Sequence, residues 1–585
     1  MLNASLWVTT DGKGGYWRAK QDLFALVTTQ LAMSHSPRQN SFETINRETM
    51  THGIITAPQP EAVEAGADAL KAGGNAIDAA IACALVQTAV DPQMCGIAGF
   101  GSMHLYHPGK NKHIVLDFHG RAPKAATEDM WQNLIEYEAE DGFGFILKGR
   151  VNEMGYQSIT TPMSLKAYAT ALNYFGTMDL DTLIQPAIDY AQNGFMVRPH
   201  VSYFWNVQEG TGRIPQIEKF RCCPASKKIY FKKNGQLRTP GEVLKNPDMA
   251  ETYRRIAKNG ADDLYTGALA QNIITDMQAN GGLISMEDLS EANPMENQPI
   301  WTEYRGYRVA SNPPPGGGLM VLEMLNILEN FDLLSMGHNS AEYIATVSEA
   351  MKIATVDKDL HIGDPRFVDV PIDRLSSKAY AVEMAARIKS GEKTLVPRLQ
   401  LKAEESKDTT QVTAVDQHGN CVSMTHSLGM PSGVVSEGLG FMYNGCMGVF
   451  DPRPGKVDSL APGKSRFSAM CPTMIFKNNK PFFIVGAPGG TFITMGVLQS
   501  ILNVVDFSMD AQQAVSAPRF CTTSDTIDVS NRILRSVEKE LQSFGYPTRR
   551  TYLSYHFAGV HAVRLVNGKW DGGADPGRDG MALIV

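Results

Sequence analysis

Residues 76–90, AIDAAIACALVQTAV, form an almost unbroken apolar run that restricts the folds open to the chain. They follow a segment at 61–74, EAVEAGADALKAGG, whose alanine, valine and leucine positions recur at helical spacing and which ends at paired glycines. Asn75 is suited to cap the second segment, so the sequence predicts two consecutive helices. Because the second helix is apolar on almost every side, other layers of the fold must cover most of its surface.

The 585-residue chain has material for such layers, since 43% of its residues are hydrophobic and 20% are charged. This composition excludes a disordered, collagen-like or coiled-coil protein. The net charge of −7 and the pI near 6.0 argue against a nucleic-acid partner and against an anionic membrane surface. No stretch of about 18 apolar residues is present, so the sequence predicts no segment that spans a membrane.

The cysteines and histidines indicate which cellular compartment and which cofactors to expect. The eight cysteines form no CxxC motif, and several lie in apolar stretches, which is typical of buried thiols in a reducing compartment. The apolar patch at 23–33 is short and interrupted, so we expect no secretory signal and a cytoplasmic protein. His104, His107 and His113 resemble a ligand cluster, but no acidic or cysteine partner shares their spacing. We therefore expect neither a metal nor a cofactor.

The residue pattern changes at about residue 409. Residues 1–50 are predicted to be an N-terminal extension, followed by a strand near 51–58, the two helices and two further strands near 103–107 and 114–118. Residues 160–390 are predicted to be mostly helical, with a break at PPPGGG, 313–318. The run 395–408 is polar at its end and without periodicity, which indicates an exposed connector.

Beyond the connector, two alternating β-branched segments, 409–415 and 421–428, flank DQHGN and predict a β-hairpin. One face of this hairpin would be lined with hydroxyl groups if the turn centres on residue 418. The facing pairs are then Thr409 and Ser427, Gln411 and Thr425, and Thr413 and Ser423. Two interpretations stay open: threonine is simply common in strands, or the hydroxyl at the head of the hairpin is a nucleophile.

A glycine-rich turn, GAPGG at 486–490, lies between a predicted strand at 482–485 and a predicted helix at 491–505. Paired glycines there can direct successive backbone N–H groups at one point, which would bind an anion or stabilise an oxyanion. The other interpretation is an ordinary strand-to-helix turn. A nucleotide site is disfavoured, because neither GxxxxGK[ST] nor GxGxxG is present here.

Residues 404–429, EESKDTTQVTAVDQHGNCVSMTHSLG, closely resemble the cleavage-site segment of the γ-glutamyltranspeptidase family of N-terminal nucleophile hydrolases. Further blocks similar to the family occur in the family's order. They are KAGGNAIDAAIACALVQTAVDPQMCGIAGFGSM at 71–103, PPPGGG at 313–318, SAMCPTMIF at 468–476, GAPGGTFI at 486–493 and GGADPGRDG at 572–580. The resemblance therefore extends along nearly the whole chain.

This resemblance implies an α+β fold, a four-layer αββα sandwich, made as a precursor that cuts itself between Asp408 and Thr409. A large-subunit segment, 51–408, and a small-subunit segment, 409–585, would form one interwoven unit. Thr409 would supply the nucleophilic hydroxyl. Its new α-amine, with a pKa of about 7.7–8.0, would serve as general base.

Other site residues are implied by the same resemblance. Ser427 corresponds to a hydroxyl that is bonded to the nucleophile in the family. Gly489 and Gly490 correspond to the oxyanion-hole pair, and Ser468 corresponds to a serine that contacts substrate.

The residues that hold a γ-glutamyl group in the family are largely absent. The family's carboxylate-binding arginine aligns with His119, and Arg121 follows two residues later on the same face of a strand, from which it could reach the pocket. The other departures are Gly429, Cys446 and Val449, where the family has Asn, Gln and Asp, and Ala469, where it has a second serine. A substrate ammonium buried without a counter-charge would cost on the order of several kcal/mol.

We therefore expect a self-processing amide hydrolase or acyltransferase that acts on a small-molecule amide, with water or an amine as acceptor. The oxamate-amidohydrolase-like and cephalosporin-acylase-like branches of the family are the models for this expectation. A true γ-glutamyltransferase that hydrolyses glutathione stays open, as does an unprocessed, non-catalytic ligand-binding relative. Beyond the substrate, the expected partners are the two fragments themselves, alone or in a larger oligomer, with no nucleic acid and no membrane.

Overall fold

The structure is a computed structural model that describes residues 52–139, 144–207, 212–397 and 408–585. The predicted N-terminal extension, residues 1–50, lies outside the described residues, as does most of the connector predicted at 395–408. The division into segments 51–408 and 409–585 stays a prediction.

The strands of the described residues are numbered here in chain order. They are β1 (Gly53–Ala57), β2 (Phe100–His107), β3 (Lys112–Phe118), β4 (Ile135–Glu138), β5 (Phe145–Leu147), β6 (Phe195–Met196), β7 (Val243–Leu244), β8 (Met295–Asn297), β9 (Ile300–Tyr304), β10 (Tyr307–Ser311), β11 (Thr410–Asp416), β12 (Cys421–Ser427), β13 (Thr473–Lys477), β14 (Lys480–Gly486), β15 (Phe520–Cys521), β16 (Ile527–Ser530), β17 (Thr548–Thr551), β18 (His561–Val566), β19 (Lys569–Ala574) and β20 (Met581–Ile584).

The α-helices of the same residues are numbered likewise. They are α1 (Pro60–Lys71), α2 (Ala76–Val90), α3 (Ser164–Phe175), α4 (Leu180–Leu183), α5 (Gln185–Asn193), α6 (Pro199–Asn206), α7 (Gln216–Lys219), α8 (Pro224–Tyr230), α9 (Pro247–Asn259), α10 (Ala268–Ala279), α11 (Met286–Ser290), α12 (Gly318–Leu328), α13 (Leu333–Met336), α14 (Ala341–His361), α15 (Ile372–Leu375), α16 (Lys378–Lys389), α17 (Ile493–Val505), α18 (Ala511–Ser516) and α19 (Arg535–Ser543). Within these described ranges, no helix combines the length and the apolar character that crossing a membrane requires.

Two antiparallel sheets dominate the fold. The seven-stranded sheet has the order β20-β1-β11-β12-β2-β3-β8, and the six-stranded sheet has the order β19-β18-β14-β13-β10-β9. The predicted hairpin is confirmed as β11 and β12, at the centre of the seven-stranded sheet. Its register is also as predicted, since Gln411 pairs with Thr425 and Thr413 pairs with Ser423.

The sheets face each other across an apolar cluster that includes Val415 of β11, Met474 of β13 and Val563 of β18. Helices α1 and α2 pack on the outer side of the seven-stranded sheet. Helices α12, α14 and α17 belong to a second apolar cluster, which covers the outer side of the six-stranded sheet. The order helix, sheet, sheet, helix is the four-layer αββα sandwich that the resemblance implied.

The two consecutive helices predicted near the start of the described chain are confirmed. Asn75 caps α2, because its side chain accepts hydrogen bonds from the backbone N–H groups of Ile77 and Asp78. The Asp78 carboxylate accepts the Asn75 N–H in return, at 2.7 Å, which completes a capping box. Every residue of α2 is buried, as its apolar sequence requires.

The region 160–390 contains more strand than the sequence predicts. Strand β8 forms an edge of the seven-stranded sheet, and the β9–β10 hairpin completes the six-stranded sheet. These strands are short and their apolar residues alternate only in part, so the helical pattern around them dominates the sequence signal.

Candidate active site

Thr409 and Ser427 meet at one end of the central hairpin. Thr409 directly precedes β11, and Ser427 is the last residue of β12. Because the strands are antiparallel and in the predicted register, the two hydroxyl oxygens lie 3.1 Å apart. Both side chains are almost fully buried, with 6% of Thr409 and 1% of Ser427 exposed. The structure thus brings together the predicted nucleophile and its predicted hydroxyl partner.

The carbonyl group of Asp408 is the centre of the hydrogen bonding here. The Thr409 hydroxyl donates to the Asp408 carbonyl oxygen at 2.5 Å. The Ser427 hydroxyl donates to the same oxygen, and the Gly429 N–H donates to Ser427 Oγ at 2.7 Å. Two hydroxyl donors on one buried carbonyl withdraw electron density from its carbon. The Ser427 hydroxyl would also oppose the cost of the negative charge that attack by the Thr409 oxygen would place on the carbonyl oxygen.

The side chain of Asp408 is held by residues that the sequence analysis did not single out. Gln93 donates its amide N–H to Asp408 Oδ1 at 2.5 Å. The buried guanidinium of Arg578 is close enough for the Asp408 charge to act on it, although burial remains the main cause that lowers the Arg578 pKa to about 10. The residue on the amino side of the predicted cleavage point is therefore fixed through its side chain as well as its carbonyl.

A second network ties the two strands together one residue farther from the cleavage point. The Gln87 amide donates to Thr410 Oγ1 at 2.9 Å and to the Gln411 carbonyl at 3.1 Å. His426 is bonded through Nε2 to Gln87 Oε1 and through Nδ1 to the Tyr168 hydroxyl. Burial lowers the pKa of His426 to about 3, so this histidine is neutral and acts as a structural partner. The network fixes the residues that follow Thr409 and precede Ser427.

The hydroxyl-lined face of the hairpin has a structural role away from the nucleophile. Gln411 donates to Ser423 Oγ and Thr413 Oγ1, and Thr425 donates to Gln411 Oε1. Ser423 and Thr413 in turn donate to carbonyls of the six-stranded sheet. These polar residues join the two sheets. The structural interpretation of the sequence pattern therefore applies to this part of the face, and the nucleophile at its end stays a prediction.

The predicted oxyanion turn has the backbone geometry that requires glycine. Gly489 has φ 145°, and a Cβ atom at this position would lie 2.6 Å from the Cα of Ala558. Gly490 has φ 58° and begins the single helical turn Gly490–Phe492 that leads into α17. Gly490 lines the pocket beside Thr409. The assignment of both glycines to an oxyanion hole stays a prediction.

A small pocket opens beside Thr409 and Ser427. Among its lining residues, Asp408 and Arg466 carry charge. Apolar contacts come from Phe100, Met430 and Ile493, and the predicted substrate residue Ser468 also lines the pocket. Arg466 was not predicted from the sequence, although it lies only two residues before Ser468. That proximity was the one available signal.

The arginine that the sequence predicted, Arg121, lies elsewhere. Arg121 is not among the described residues that line this pocket. Its Nη2 donates to the Asn293 carbonyl at 3.0 Å, and its charged neighbours are Asp117, Asp364 and Arg366. His119 lies next to Phe100, with its Nδ1 bonded to Asp117 Oδ1 at 2.6 Å. A role for Arg121 in substrate binding stays a prediction.

No group of three or more histidine, cysteine, aspartate or glutamate side chains is placed to hold a metal ion within the described ranges. His104 and His113 bond to each other through their Nε2 atoms at 2.8 Å, and His104 Nδ1 is bonded to the Pro472 carbonyl. His104 is buried, and the half-buried His113 packs against the rings of Tyr106 and Trp301, so the pair is accounted for by structure alone.

Two facing antiparallel sheets between helical layers are the fold of the N-terminal nucleophile hydrolases. Comparison with known proteins agrees with this fold and also identifies the family within it. The γ-glutamyltranspeptidase family model matches residues 62–585, so the chain belongs to that family of hydrolases and acyltransferases.

Some relatives of the chain are named acylases and others are named glutathione hydrolases. The chain is 37% identical over 507 residues to the acylase ACY 1 proenzyme of Pseudomonas sp. strain V22, covering 86% of this chain and 88% of that protein. It is 34% identical to the glutathione hydrolase proenzyme of Escherichia coli K12, over 80% of each. The structure of cephalosporin acylase from Bacillus halodurans superposes with a TM-score of 0.81 at 29% identity, covering 91% of this chain and 95% of that one.

Proposed function

We propose that the chain cuts itself between Asp408 and Thr409 and then hydrolyses or transfers the acyl group of a small amide through Thr409. The observation that carries this proposal is the placement of two hydroxyl groups, those of Thr409 and Ser427, on the Asp408 carbonyl oxygen. The names of the relatives support it, since the Pseudomonas acylase and the E. coli glutathione hydrolase are both proenzymes.

Self-cleavage proceeds by transfer of an acyl group from nitrogen to oxygen. The Thr409 hydroxyl oxygen attacks the Asp408 carbonyl carbon, the peptide C–N bond breaks, and the hydroxyl proton ends on the released nitrogen. Ser427 stabilises the negative charge on the carbonyl oxygen during this step. Water then hydrolyses the ester, which leaves a carboxylate on Asp408 and a free amine and hydroxyl on Thr409.

The processed enzyme uses the new α-amine of Thr409 as general base for its own hydroxyl. An α-amine with a pKa of about 7.7–8.0 is matched to this role near neutral pH. The hydroxyl oxygen attacks the substrate amide, the amine portion leaves with a proton, and an ester to Thr409 remains. Water or a second amine then takes the acyl group. Ser427 holds the hydroxyl in place, and the N–H groups of Gly489 and Gly490 are the proposed oxyanion donors.

The pocket favours an acyl group without an ammonium. Asp408 is the only acidic residue among the described residues that line the pocket, and self-cleavage turns it into a chain end. Gly429 also lines the pocket, and as a glycine it has no side chain that could bind an ammonium. A γ-glutamyl ammonium bound there would lack a counter-charge, so we propose an acylase-type substrate, in line with the names of the Pseudomonas and B. halodurans relatives.

A glutathione hydrolase is the second candidate, because the E. coli relative of that name is 34% identical to the chain. Turnover of γ-glutamyl p-nitroanilide that exceeds turnover of simple amides would favour this candidate.

The nucleophile is tested with two variants and a denaturing gel. Thr409→Ala removes the attacking hydroxyl, so the precursor should fold, stay uncut and lack activity. Thr409→Ser keeps hydroxyl and amine and should be cut and active at a reduced rate. Normal cleavage of Thr409→Ala would show that the nucleophile is assigned wrongly. A wild-type chain that stays intact after long incubation would favour the non-catalytic relative.

A further inference from the structure

Asp91 is a buried carboxylate that the proposed chemistry leaves without a role. It directly follows α2, and its N–H donates to the Gln87 carbonyl at the end of that helix. Its side chain is 1% exposed, and the last turn of α2 contains no basic residue. A negative charge at the carboxyl end of a helix is opposed both by the helix dipole and by burial. Groups from other parts of the chain must therefore compensate the charge of Asp91.

One contact of Asp91 leads to the residue that follows the proposed nucleophile. Gln59 Nε2 donates to Asp91 Oδ2 at 2.8 Å, and Gln59 Oε1 accepts from Thr410 Oγ1 at 3.1 Å. An ionised carboxylate accepts hydrogen bonds and cannot donate them. Asp91 therefore fixes the orientation of the Gln59 amide, with its nitrogen toward Asp91 and its oxygen toward Thr410. All three side chains are buried, so solvent does not compete for these bonds.

The charge of Asp91 also acts toward the residue that precedes the nucleophile, through Arg578. Burial lowers the pKa of the Arg578 guanidinium to about 10, and the charges of nearby aspartates, Asp91 and Asp408 among them, oppose this fall. The guanidinium carbon lies 4.6 Å from the centre of the Phe204 ring, which holds the side chain in place. Arg578 therefore couples the charge of Asp91 to that of Asp408.

His200 of α6 is the ionic neighbour of Asp91. His200 Nε2 lies 3.6 Å from Asp91 Oδ2, and His200 Nδ1 is bonded to Asp579 Oδ2 at 2.6 Å. Arg198 Nε lies 3.3 Å from the same Asp579 oxygen, and Arg198 Nη1 is paired with Glu61 Oε2 of α1 at 2.5 Å. Because the bond to Asp579 keeps a proton on Nδ1, a deprotonated His200 has lost the proton from Nε2. The lone pair on Nε2 would then face Asp91, and repulsion would replace attraction.

We propose that Asp91 is a positioning residue for self-cleavage, and that the proton on His200 keeps it in place. Through the amide of Gln59 and the guanidinium of Arg578, Asp91 constrains the chain on both sides of the attacking threonine. This inference rests on the proposed function, because self-cleavage is the step that it serves. A misplacement of about 1 Å can cost about 10²-fold in rate, so loss of this constraint has a measurable effect.

Asp91→Asn tests the proposal in the full-length precursor, with the fraction of uncut chain followed over time on denaturing gels. Asparagine keeps the shape of the side chain and loses the charge, and its amide can present nitrogen as well as oxygen to Gln59. We expect cleavage to slow at least about tenfold.

Asp78→Asn is the matched control. Asp78 is a fully buried aspartate at the amino end of the same helix, where it completes the capping box. Its loss should lower Tm and leave the precursor cut at the wild-type rate. Cleavage of Asp91→Asn at the wild-type rate, or equal slowing in both variants, would overturn the proposal.

A second variant tests the same link and does not require Asp91→Asn to fold. Thr410→Val removes the hydroxyl that reaches Gln59 and should slow cleavage at least about tenfold, whereas Thr410→Ser should restore most of the rate. Thr410→Val that is cut at the wild-type rate would overturn the proposal.

The pH profile of cleavage separates positioning from a merely structural role. Burial lowers the pKa of His200, but its bonds to Asp579 and Asp91 outweigh burial and raise the pKa. Below the raised value the imidazole is charged, so the wild-type precursor should be cut faster than His200→Gln. The ratio of the two rates should fall toward one as pH rises through that value. A ratio that does not change with pH would also overturn the proposal.

The wild-type protein separates this inference from the function on which it rests. A wild-type chain that is cut before Thr409, together with an Asp91→Asn chain that is cut equally fast, would refute the role of Asp91 and leave the proposed function intact. A wild-type chain that stays uncut would refute both proposals.

Discussion

Replacing Ser427 by alanine should separate the chemistry of self-cleavage from the folding of the hairpin. Ser427 donates to the Asp408 carbonyl oxygen, accepts the Gly429 N–H at 2.7 Å and lies 3.1 Å from the Thr409 hydroxyl. Ser427→Ala removes one of the two hydroxyl donors on the carbonyl that is attacked, and it keeps Thr409 as the nucleophile.

The buried position of Ser427 sets the size of the effect. Removing one preorganised donor to a developing oxyanion costs about 2.7–4 kcal/mol in activation free energy, which corresponds to a rate lower by about 10²–10³. The loss of ground-state hydrogen bonds should cost about 1–3 kcal/mol in the free energy of unfolding. The activation free energy of cleavage should therefore change by more than the free energy of unfolding. Ser427→Thr should recover much of the cleavage rate, because it keeps a hydroxyl.

The assay follows the fraction of uncut chain on denaturing gels over time, with circular dichroism as the check on folding. Ser423→Ala is the control, because Ser423 lies four residues earlier on the same face of β12 and donates to the Val485 carbonyl, away from the cleavage point. The control should be cut at the wild-type rate. If Ser427→Ala is also cut at that rate, Ser427 does not stabilise the transition state and this reasoning is wrong.

Two further predictions concern stability. Gly489→Ala should lower the free energy of unfolding by at least about 2 kcal/mol, because φ is 145° and the added Cβ would lie 2.6 Å from a neighbouring Cα. Gly391→Ala, with φ +83° and open space at Cβ, should cost less in the same urea titration, and equal costs would contradict the packing argument. Burial lowers the pKa of His200, but its bonds to Asp579 and Asp91 outweigh burial and raise the pKa above 6.5. The His200 contribution to stability is thus complete below about pH 6.5 and lost as pH rises through the raised value. His200→Gln should therefore weaken the fall in Tm above pH 6.5, and an unchanged pH profile of Tm would contradict this.

Local patterns predicted the parts of the fold that depend on neighbouring residues. The cap at Asn75, the apolar face of α2 and the register of β11 with β12 each depend on spacings within about twenty residues. Period-2 alternation and a short turn fix a hairpin register strongly, since a slip by one residue would reverse every side chain. That register alone placed Thr409 next to Ser427.

Residues that reach the site from distant parts of the chain could not be predicted in this way. Gln93 and Arg578 meet at Asp408 only through the tertiary fold, and Arg466 enters the pocket from an irregular segment without periodicity. The family pattern points to Arg121, because Arg121 lies two residues after the position where the family has its arginine. The guanidinium beside the nucleophile comes from another segment, and no spacing rule connects the two.

The central claim is tested most directly by intact-mass analysis and N-terminal sequencing of purified, active protein. We expect two fragments, the smaller beginning TTQVTAV at Thr409, with amidase activity that rises in step with their formation. Active material that consists only of the uncut chain, or whose new amino terminus lies at another residue, would contradict it.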